Sequence, residues 1–347
     1  MSTVEVNASR HYRVEIGGGL LETLGEEAAK LCRGRKVCIV TDDQVGSRYG
    51  QLTKEIMEQA GFTAFVYTFP HGEQSKCGTE FLALLEQLAK WELTRQDLLV
   101  ALGGGVTGDL TGFAAACYLR GIEYIQVPTS LLAMVDSSVG GKTAIDLSAG
   151  KNLCGAFWQP SLVLCDSALL RTLPHRELMG GCAEVIKYGV LGCPELLQRL
   201  RGDLQWQDWN RIITLSVTMK RDIVQADERD TGRRQLLNLG HTLGHAVEQN
   251  SRFSLSHGEA VSIGMAMILR AAAEKGLCSR EDRDTVLEAL TTCQLPTVTD
   301  QTAEEICRTA LGDKKRMGDT LTLVVPHGIG DCRLEQIPIA QLSQWCL

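Results

Sequence analysis

The densest chemical signal lies in Asn238-Leu239-Gly240-His241-Thr242-Leu243-Gly244-His245-Ala246-Val247-Glu248. His241 and His245 are four apart, so a helix puts them on one face. The chain has only 7 histidines, and a third, His257, follows sixteen residues after His241, just before Gly258-Glu259. Glu184 stands in an otherwise apolar helical stretch, Gly181 to Tyr188. Three nitrogen or oxygen ligands with an open position make a catalytic divalent-metal site of the zinc type. A histidine on a helix is also an ordinary packing residue, and spacing leaves open which three of the four candidates bind.

Basic residues accompany this cluster: Lys187, Lys220, Arg233, Arg234, Lys314 and Lys315. Lys187 lies one helical turn after Glu184, and Arg234 one turn before Asn238. Cations beside a metal suit a substrate bearing carboxylate and phosphate. A second group of small and basic residues runs from Val135-Asp136-Ser137 through Gly141-Lys142-Thr143 to Gly150-Lys151-Asn152. Two Gly-Lys pairs nine residues apart suit an oxyanion held by lysine and backbone donors. The third feature, Gly103-Gly104-Gly105-Val106-Thr107-Gly108-Asp109, follows an apolar run and opens a helical one. Bare backbone at a helix N-terminus favours phosphate, and a dinucleotide over a nucleoside triphosphate, because no P-loop ending is present.

These features need two kinds of scaffold. Short apolar runs at 36–40, 62–69, 97–102, 124–127 and 162–165 alternate with helical patterns at 46–60, 75–91 and 108–119. That alternation predicts a parallel sheet covered on both faces. From about residue 175 the pattern is almost wholly helical, with 3–4 residue periodicity over 196–200, 212–224, 240–250, 257–275 and 280–290. Only Leu321 to Val325 reads as a strand there. The expected fold is an α/β nucleotide-binding domain over 1–173 and a mostly α-helical metal- and substrate-binding domain over 174–347, the boundary falling at Leu173-Pro174. A length of 347 residues also favours two cores over one.

Composition narrows the partners. Lys plus Arg is 35 against 42 Asp plus Glu, a net charge of −7, which gives no electrostatic reason to bind nucleic acid or an anionic membrane. No apolar run reaches the ~18–20 residues of a membrane span. The start, Met1-Ser2-Thr3-Val4-Glu5, lacks the basic and apolar blocks of a signal peptide. The 13 cysteines include no Cys-x-x-Cys, and Cys38 and Cys165 sit in apolar runs, so reduced, buried thiols in a cytoplasmic protein are expected.

Taken in order, these segments resemble the 3-dehydroquinate synthases of the sugar phosphate cyclase family. The likeness runs from His71-Gly72-Glu73-Gln74-Ser75-Lys76 through the glycine loop, Tyr118-Leu119-Arg120-Gly121, Val127-Pro128-Thr129-Ser130, the two Gly-Lys segments, Ala183 to Tyr188 and Asn238 to Glu248, to Asp313-Lys314-Lys315. The resemblance implies a shikimate-pathway lyase of chorismate and aromatic amino acid biosynthesis. It would convert 3-deoxy-D-arabino-heptulosonate 7-phosphate into 3-dehydroquinate and phosphate, using NAD and one divalent metal ion, Zn or Co. The implied course is oxidation at C5, phosphate elimination, re-reduction, ring opening and aldol closure, with no net redox change.

The resemblance also distributes roles. Glu184, His241 and His257 match the metal ligands, and His245 becomes a substrate-side group. Lys142, Asn152, Asn238, His245 and Lys314 surround the phosphate. Lys220 and Arg234 grip the carboxylate, and Asp136 and Lys187 face the ring hydroxyls. Arg120 reaches a neighbouring subunit's site, implying a homodimer. Asp42, Glu73, Lys76, Gly104, Gly105, Val106, Asp109, Thr129, Ser130, Lys142, Lys151 and Thr172 fit the NAD positions. Asp230 stands where the family usually has Glu, and Leu147-Ser148-Ala149 departs from the usual run before Gly-Lys-Asn.

Other classes make different demands. A cyclase acting on glucose 6-phosphate or sedoheptulose 7-phosphate would leave Lys220 and Arg234 without a carboxylate. A metal-dependent polyol dehydrogenase would release NADH and change absorbance at 340 nm. A binding protein without catalysis would have no use for a metal trio.

Overall fold

A computed structural model describes residues 1–202, 206–252, 254–312, 316–317 and 319–347. The described chain divides into two compact units, Met1–Leu173 and Pro174–Leu347.

The first unit is built on a seven-stranded sheet. Its strands are β1 (Ser2–Asn7), β2 (His11–Gly17), β3 (Lys36–Asp42), β4 (Thr63–Phe69), β5 (Leu98–Gly103), β6 (Glu123–Pro128) and, after a separate hairpin of β7 (Lys142–Leu147) and β8 (Gly150–Phe157), β9 (Leu162–Asp166). The order is β1-β2-β9-β6-β5-β3-β4, and all neighbours are parallel except β1 with β2. Strands β5 and β9 are buried at every position, as the continuous apolar runs require.

The helices of this unit are α1 (Leu24–Leu31), the short α2 (Asp43–Val45), α3 (Gln51–Gln59), α4 (Gly78–Lys90) and α5 (Gly105–Cys117). The chain steps from β3 to β4 in one direction, then back past β3 to β5 and on to β6. Right-handed crossovers in opposite directions put α3 on one face and α4 and α5 on the other. Phe81, Leu84 and Leu88 of α4 and Leu110, Phe113 and Ala114 of α5 accordingly share a core with Cys38, Val40 and Leu99. The reversal between β3 and β5 makes a switch point, where the carboxyl ends of parallel strands open a crevice for a ligand. Asp42 ends β3 there and Gly103 ends β5.

Three features depart from the sequence reading. The N-terminal hairpin β1–β2 and the hairpin β7–β8 were not anticipated. The single helix expected over 46–60 is broken by a π-helical turn, Gly46–Gly50, ahead of α3. A Cβ on Gly46 would lie 2.8 Å from Thr41 Cγ2, so this turn presses close to β3.

The second unit contains α6 (His175–Leu191), α7 (Pro194–Leu200), α8 (Asp208–Ala226), α9 (His241–Asn250), α10 (His257–Glu274), α11 (Arg280–Thr292) and α12 (Ala303–Gly312). It also carries a three-stranded antiparallel sheet of β10 (Arg316–Met317), β11 (Thr320–Gly328) and β12 (Asp331–Pro338). The single expected strand is thus the middle of β11. Strand β12 escaped the reading because its positions are mostly exposed and polar. Helix α10 is buried along most of its length and packs against α6 and α9.

Glycines set those helix spacings. A Cβ on Gly264 would sit 2.0 Å from Gly240 O, and one on Gly258 would sit 2.1 Å from Gly180 O. Only bare backbone lets α10 approach the start of α9 and the first half of α6 this closely. Gly240 also has φ +78°, a conformation L side chains rarely adopt, and it turns the chain into α9.

Candidate active site

Helices α6, α9 and α10 bring three donors to one point. Glu184 projects from the middle of α6, His241 opens α9 and His257 opens α10. Glu184 Oε1 lies 3.1 Å from His257 Nε2 and 3.3 Å from His241 Nε2. The ligand atoms of this trio all lie within 4.8 Å of one another. His241 Nδ1–H donates to Leu239 O at 3.0 Å, because a carbonyl can only accept. That bond leaves the His241 Nε2 lone pair facing Glu184, the tautomer a metal ligand needs. The start of α10 is fixed by a capping box in which Ser256 accepts from the Glu259 backbone and Glu259 accepts from the Ser256 backbone.

The electrostatics favour an ionised carboxylate. Burial alone would raise the pKa of Glu184, but Lys187, His241 and His257 hold it well below the usual range. Lys187, one turn away, forms a buried ion pair with Glu184 Oε2. Burial pushes His241 down, which keeps its imidazole neutral. Burial opposes charge on His257 too, yet Glu184 and Glu248 on either side push it up to about 9. A divalent cation fits this donor set of one ionised carboxylate and two imidazoles.

His245 faces the same cluster, with ring centroids 5.3 Å from His241 and 5.8 Å from His257. A second close group is His245, Glu248 and His257. Glu248 closed the histidine motif in the sequence, yet its proximity to His257 was not anticipated. The signal available was its position seven residues after His241, which returns to the same helix face.

Arg234 is almost fully buried, in the 3₁₀ segment Arg233–Asn238. The preceding loop is organised by Asp227, whose carboxylate accepts from the backbone N–H groups of Gly232 at 2.7 Å, Arg234 at 3.0 Å and Thr231 at 3.1 Å. Arg234 Nη1 donates to Glu228 O. Asp230 sits in that loop with φ +59°, and Lys220 is buried on α8. Lys314 lies outside the described residues.

The first unit gathers a different set at the switch point. Thr129 N–H donates to Gly103 O at 2.9 Å, which draws the ends of β5 and β6 together. Ser130 Oγ would lie 3.5 Å from a Cβ on Gly104, and Ser137 Oγ 3.2 Å from one on Gly105. A Cβ on Gly103 would meet Thr107 Oγ1 at 2.3 Å. Gly103 is therefore required by the protein's own packing, whereas Gly104 leaves room beyond its Cα. Val106 follows in the first turn of α5.

Lys76 is buried and donates to Asp109 Oδ2 at 2.8 Å, with Glu73 Oε1 at 3.5 Å. Lys151 Nζ reaches the same Glu73 oxygen at 3.8 Å. Four expected cofactor residues thus form one charge network. Asp146 extends it: its N–H donates to Lys76 O at 2.7 Å, and its carboxylate accepts from Asn152 N–H at 2.8 Å. Asp146 was not among the expected residues, because the strand that carries it, β7, was not anticipated. Asp42 Oδ1 accepts from Gln44 and Val45 N–H at 2.9 Å each, capping α2. Thr172 Oγ1 pairs with Tyr49 Oη at 2.7 Å. Lys142 and Asn152 are exposed on the β7–β8 hairpin, Asp136 lies in the π-helical turn Ala133–Ser137, and Arg120 is exposed with φ +65°.

Two family models cover most of the chain end to end: 3-dehydroquinate synthase N-terminal over residues 66–180, and 3-dehydroquinate synthase C-terminal over residues 181–316. The chain belongs to the 3-dehydroquinate synthase family. A 3-dehydroquinate synthase of Caulobacter vibrioides is 48% identical over 337 residues, covering 93% of this chain and 91% of the relative. Among solved structures, a 2-deoxy-scyllo-inosose synthase with carbaglucose-6-phosphate, NAD+ and Co2+ has a TM-score of 0.90 at 23% identity, covering 99% of both chains. The 2-epi-5-epi-valiolone synthase of Streptomyces hygroscopicus, with NAD+ and Zn2+, has a TM-score of 0.89 at 25% identity, covering 99% of this chain and 97% of that one. These two share the fold of the 3-dehydroquinate synthase family member described here.

Proposed function

We propose that this chain is a 3-dehydroquinate synthase whose metal is held by Glu184, His241 and His257. The observation that carries the reading is the approach of Glu184 Oε1, His241 Nε2 and His257 Nε2, in a chain matched to that family by both domain models. When bound, NAD supplies reversible hydride transfer and the divalent ion, Zn or Co, supplies Lewis-acid polarisation of the substrate hydroxyl.

The chain's own residues recognise and orient. Arg234 and Lys220, both buried, offer fixed positive charge to the carboxylate of 3-deoxy-D-arabino-heptulosonate 7-phosphate. That pair favours a carboxylate-bearing substrate over the carboxylate-free sugar phosphates of other cyclases. Lys187 keeps Glu184 ionised and faces a ring hydroxyl. Asn238, His245, Lys142 and Asn152 serve the phosphate, and Asp136 serves a ring hydroxyl. The switch-point loop Gly104-Gly105-Val106 takes the NAD pyrophosphate, with Thr129, Ser130, Asp42 and Thr172 around it. Glu73, Lys76, Asp109 and Lys151 hold the remainder of the cofactor site as a preorganised charge network.

The exposed Leu119, Leu147, Leu153 and Phe157, on and near the β7–β8 hairpin, support a homodimer with Arg120 at its contact. No described helix is long and apolar enough to cross a membrane, and a cytoplasmic location suits the 13 free cysteines.

The test is phosphate release from the heptulosonate phosphate, with and without chelator. Release of one phosphate per 3-dehydroquinate, abolished by chelator and restored by Zn2+ or Co2+, is the expected result. Turnover that accumulates NADH at 340 nm would assign the site to a dehydrogenase instead.

A further inference from the structure

The geometry points to Glu248 as the residue that orients His257 for metal binding, a positioning role that rests on the three-donor reading above. The imidazole of His257 lies between two carboxylates. Its Nε2 is 3.1 Å from Glu184 Oε1, and its Nδ1 is 3.9 Å from Glu248 Oε2. Glu248 lies on α9, two turns beyond His241, and its side chain is only 8% exposed.

A metal-bound imidazole gives one nitrogen's lone pair to the ion and keeps its proton on the other. An acceptor facing that second nitrogen selects the tautomer, holds the ring plane and raises ligand basicity. His241 already shows the arrangement, with Nδ1–H donating to Leu239 O so that Nε2 is the free donor. His257 needs the same service, because its ring could present either nitrogen after a half-turn. The Ser256–Glu259 capping box fixes the backbone there and leaves the ring angle to side-chain contacts. Glu248 is the carboxylate on the Nδ1 side, and an ionised carboxylate can only accept. At 3.9 Å the pair is within ion-pair range and beyond a hydrogen bond. With an ion on Nε2, the ring's remaining proton sits on Nδ1, the nitrogen that faces Glu248.

The test uses the full chain, stripped of metal, with wild type, Glu248→Gln, Glu248→Leu, Glu184→Gln, His241→Ala and His245→Ala compared. Zinc affinity is measured by competition with a chromophoric chelator. The tautomer of His257 is read by ¹⁵N NMR of the zinc-loaded protein. Glu248→Gln, which keeps an acceptor, should weaken binding about 10-fold, and Glu248→Leu about 100-fold, the range for a lost outer partner of a metal ligand. Wild type should show His257 as a single Nδ1–H tautomer, and the Leu variant should lose it at an unchanged melting temperature. Unaltered affinity and tautomer in both Glu248 variants, with His241→Ala still losing the ion, overturns the positioning role alone. Loss of metal in His245→Ala with retention in Glu184→Gln overturns it differently, making Glu248 a ligand. Absence of stoichiometric zinc in wild type overturns the three-donor reading and this role with it.

Discussion

At the scale of single residues, donors and neighbours can be separated by experiment. Glu184→Gln, His241→Ala and His257→Ala should each lose tightly bound metal, because a three-ligand site keeps little affinity with two. Mass spectrometry of the purified proteins measures this, and near-stoichiometric zinc in any of the three would remove that residue from the trio. His245→Ala should keep its metal while losing turnover. Arg234→Ala should weaken substrate binding by about 1.5–3 kcal/mol, the worth of a charged hydrogen bond. The loss should largely vanish for an analogue without the carboxylate. Equal losses for both compounds would place Arg234 in folding, since it is also a buried side chain.

The glycine loop separates in the same way. A Cβ on Gly104 meets nothing nearer than Ser130 Oγ at 3.5 Å, and its extended φ of −79° suits any residue. Gly104→Val should therefore fold normally and raise the NAD requirement. Gly103→Ala should instead lose about 1–3 kcal/mol of stability by overpacking against Thr107. Urea unfolding and NAD titration of both variants check the contrast, and unchanged NAD affinity in a folded Gly104→Val would make the loop a tight turn only.

At the scale of elements, helix approach decides whether the trio exists. Gly258→Ala drives a Cβ into Gly180 O, and so displaces the first turn of α10, which carries His257. It should cost both stability and metal. A folded variant with wild-type zinc content would show that α10 can shift without moving the donor. The loop before Arg234 responds to pH. Burial would raise the pKa of Asp227, but the N–H groups of Thr231, Arg234 and Gly232 bring it down to about 2 from the ordinary 3.8. A carboxylate lowered by folding contributes stability above its unfolded pKa and loses that contribution as pH falls through the folded one. Asp227→Asn should therefore be less stable than wild type at pH 7, with the gap closing between about pH 4 and 2. A gap independent of pH would mean that the lost interaction is not one of charge.

Taken as a whole molecule, the proposed cycle returns the hydride it removes. Cofactor-free protein should be inactive and regain full turnover with NAD far below the substrate concentration, with no net change at 340 nm. Consumption of one NAD per product would favour dehydrogenase chemistry. Much of the architecture is legible in the sequence. The parallel sheet showed in the apolar runs that became β3, β5, β6 and β9, because strands buried on both faces must be apolar throughout. The helical second half showed in its periodicity, and the histidines in their rarity and spacing. What the chain order could not convey was distance. Glu184 and His257 are 73 residues apart, and only the packing of α6 against α10 over facing glycines makes them neighbours. Strand β12 was hidden by its polar, exposed positions, and hairpin β7–β8 by the charged and polar residues that interrupt its apolar ones. Residue type and spacing determined which side chains could bind a metal, a phosphate or a carboxylate. The tertiary structure alone decided which nitrogen of His241 faces Glu184, that Gly103 serves the fold while Gly104 leaves space, and that Glu248 stands behind His257, because each of these depends on contacts between elements far apart along the chain.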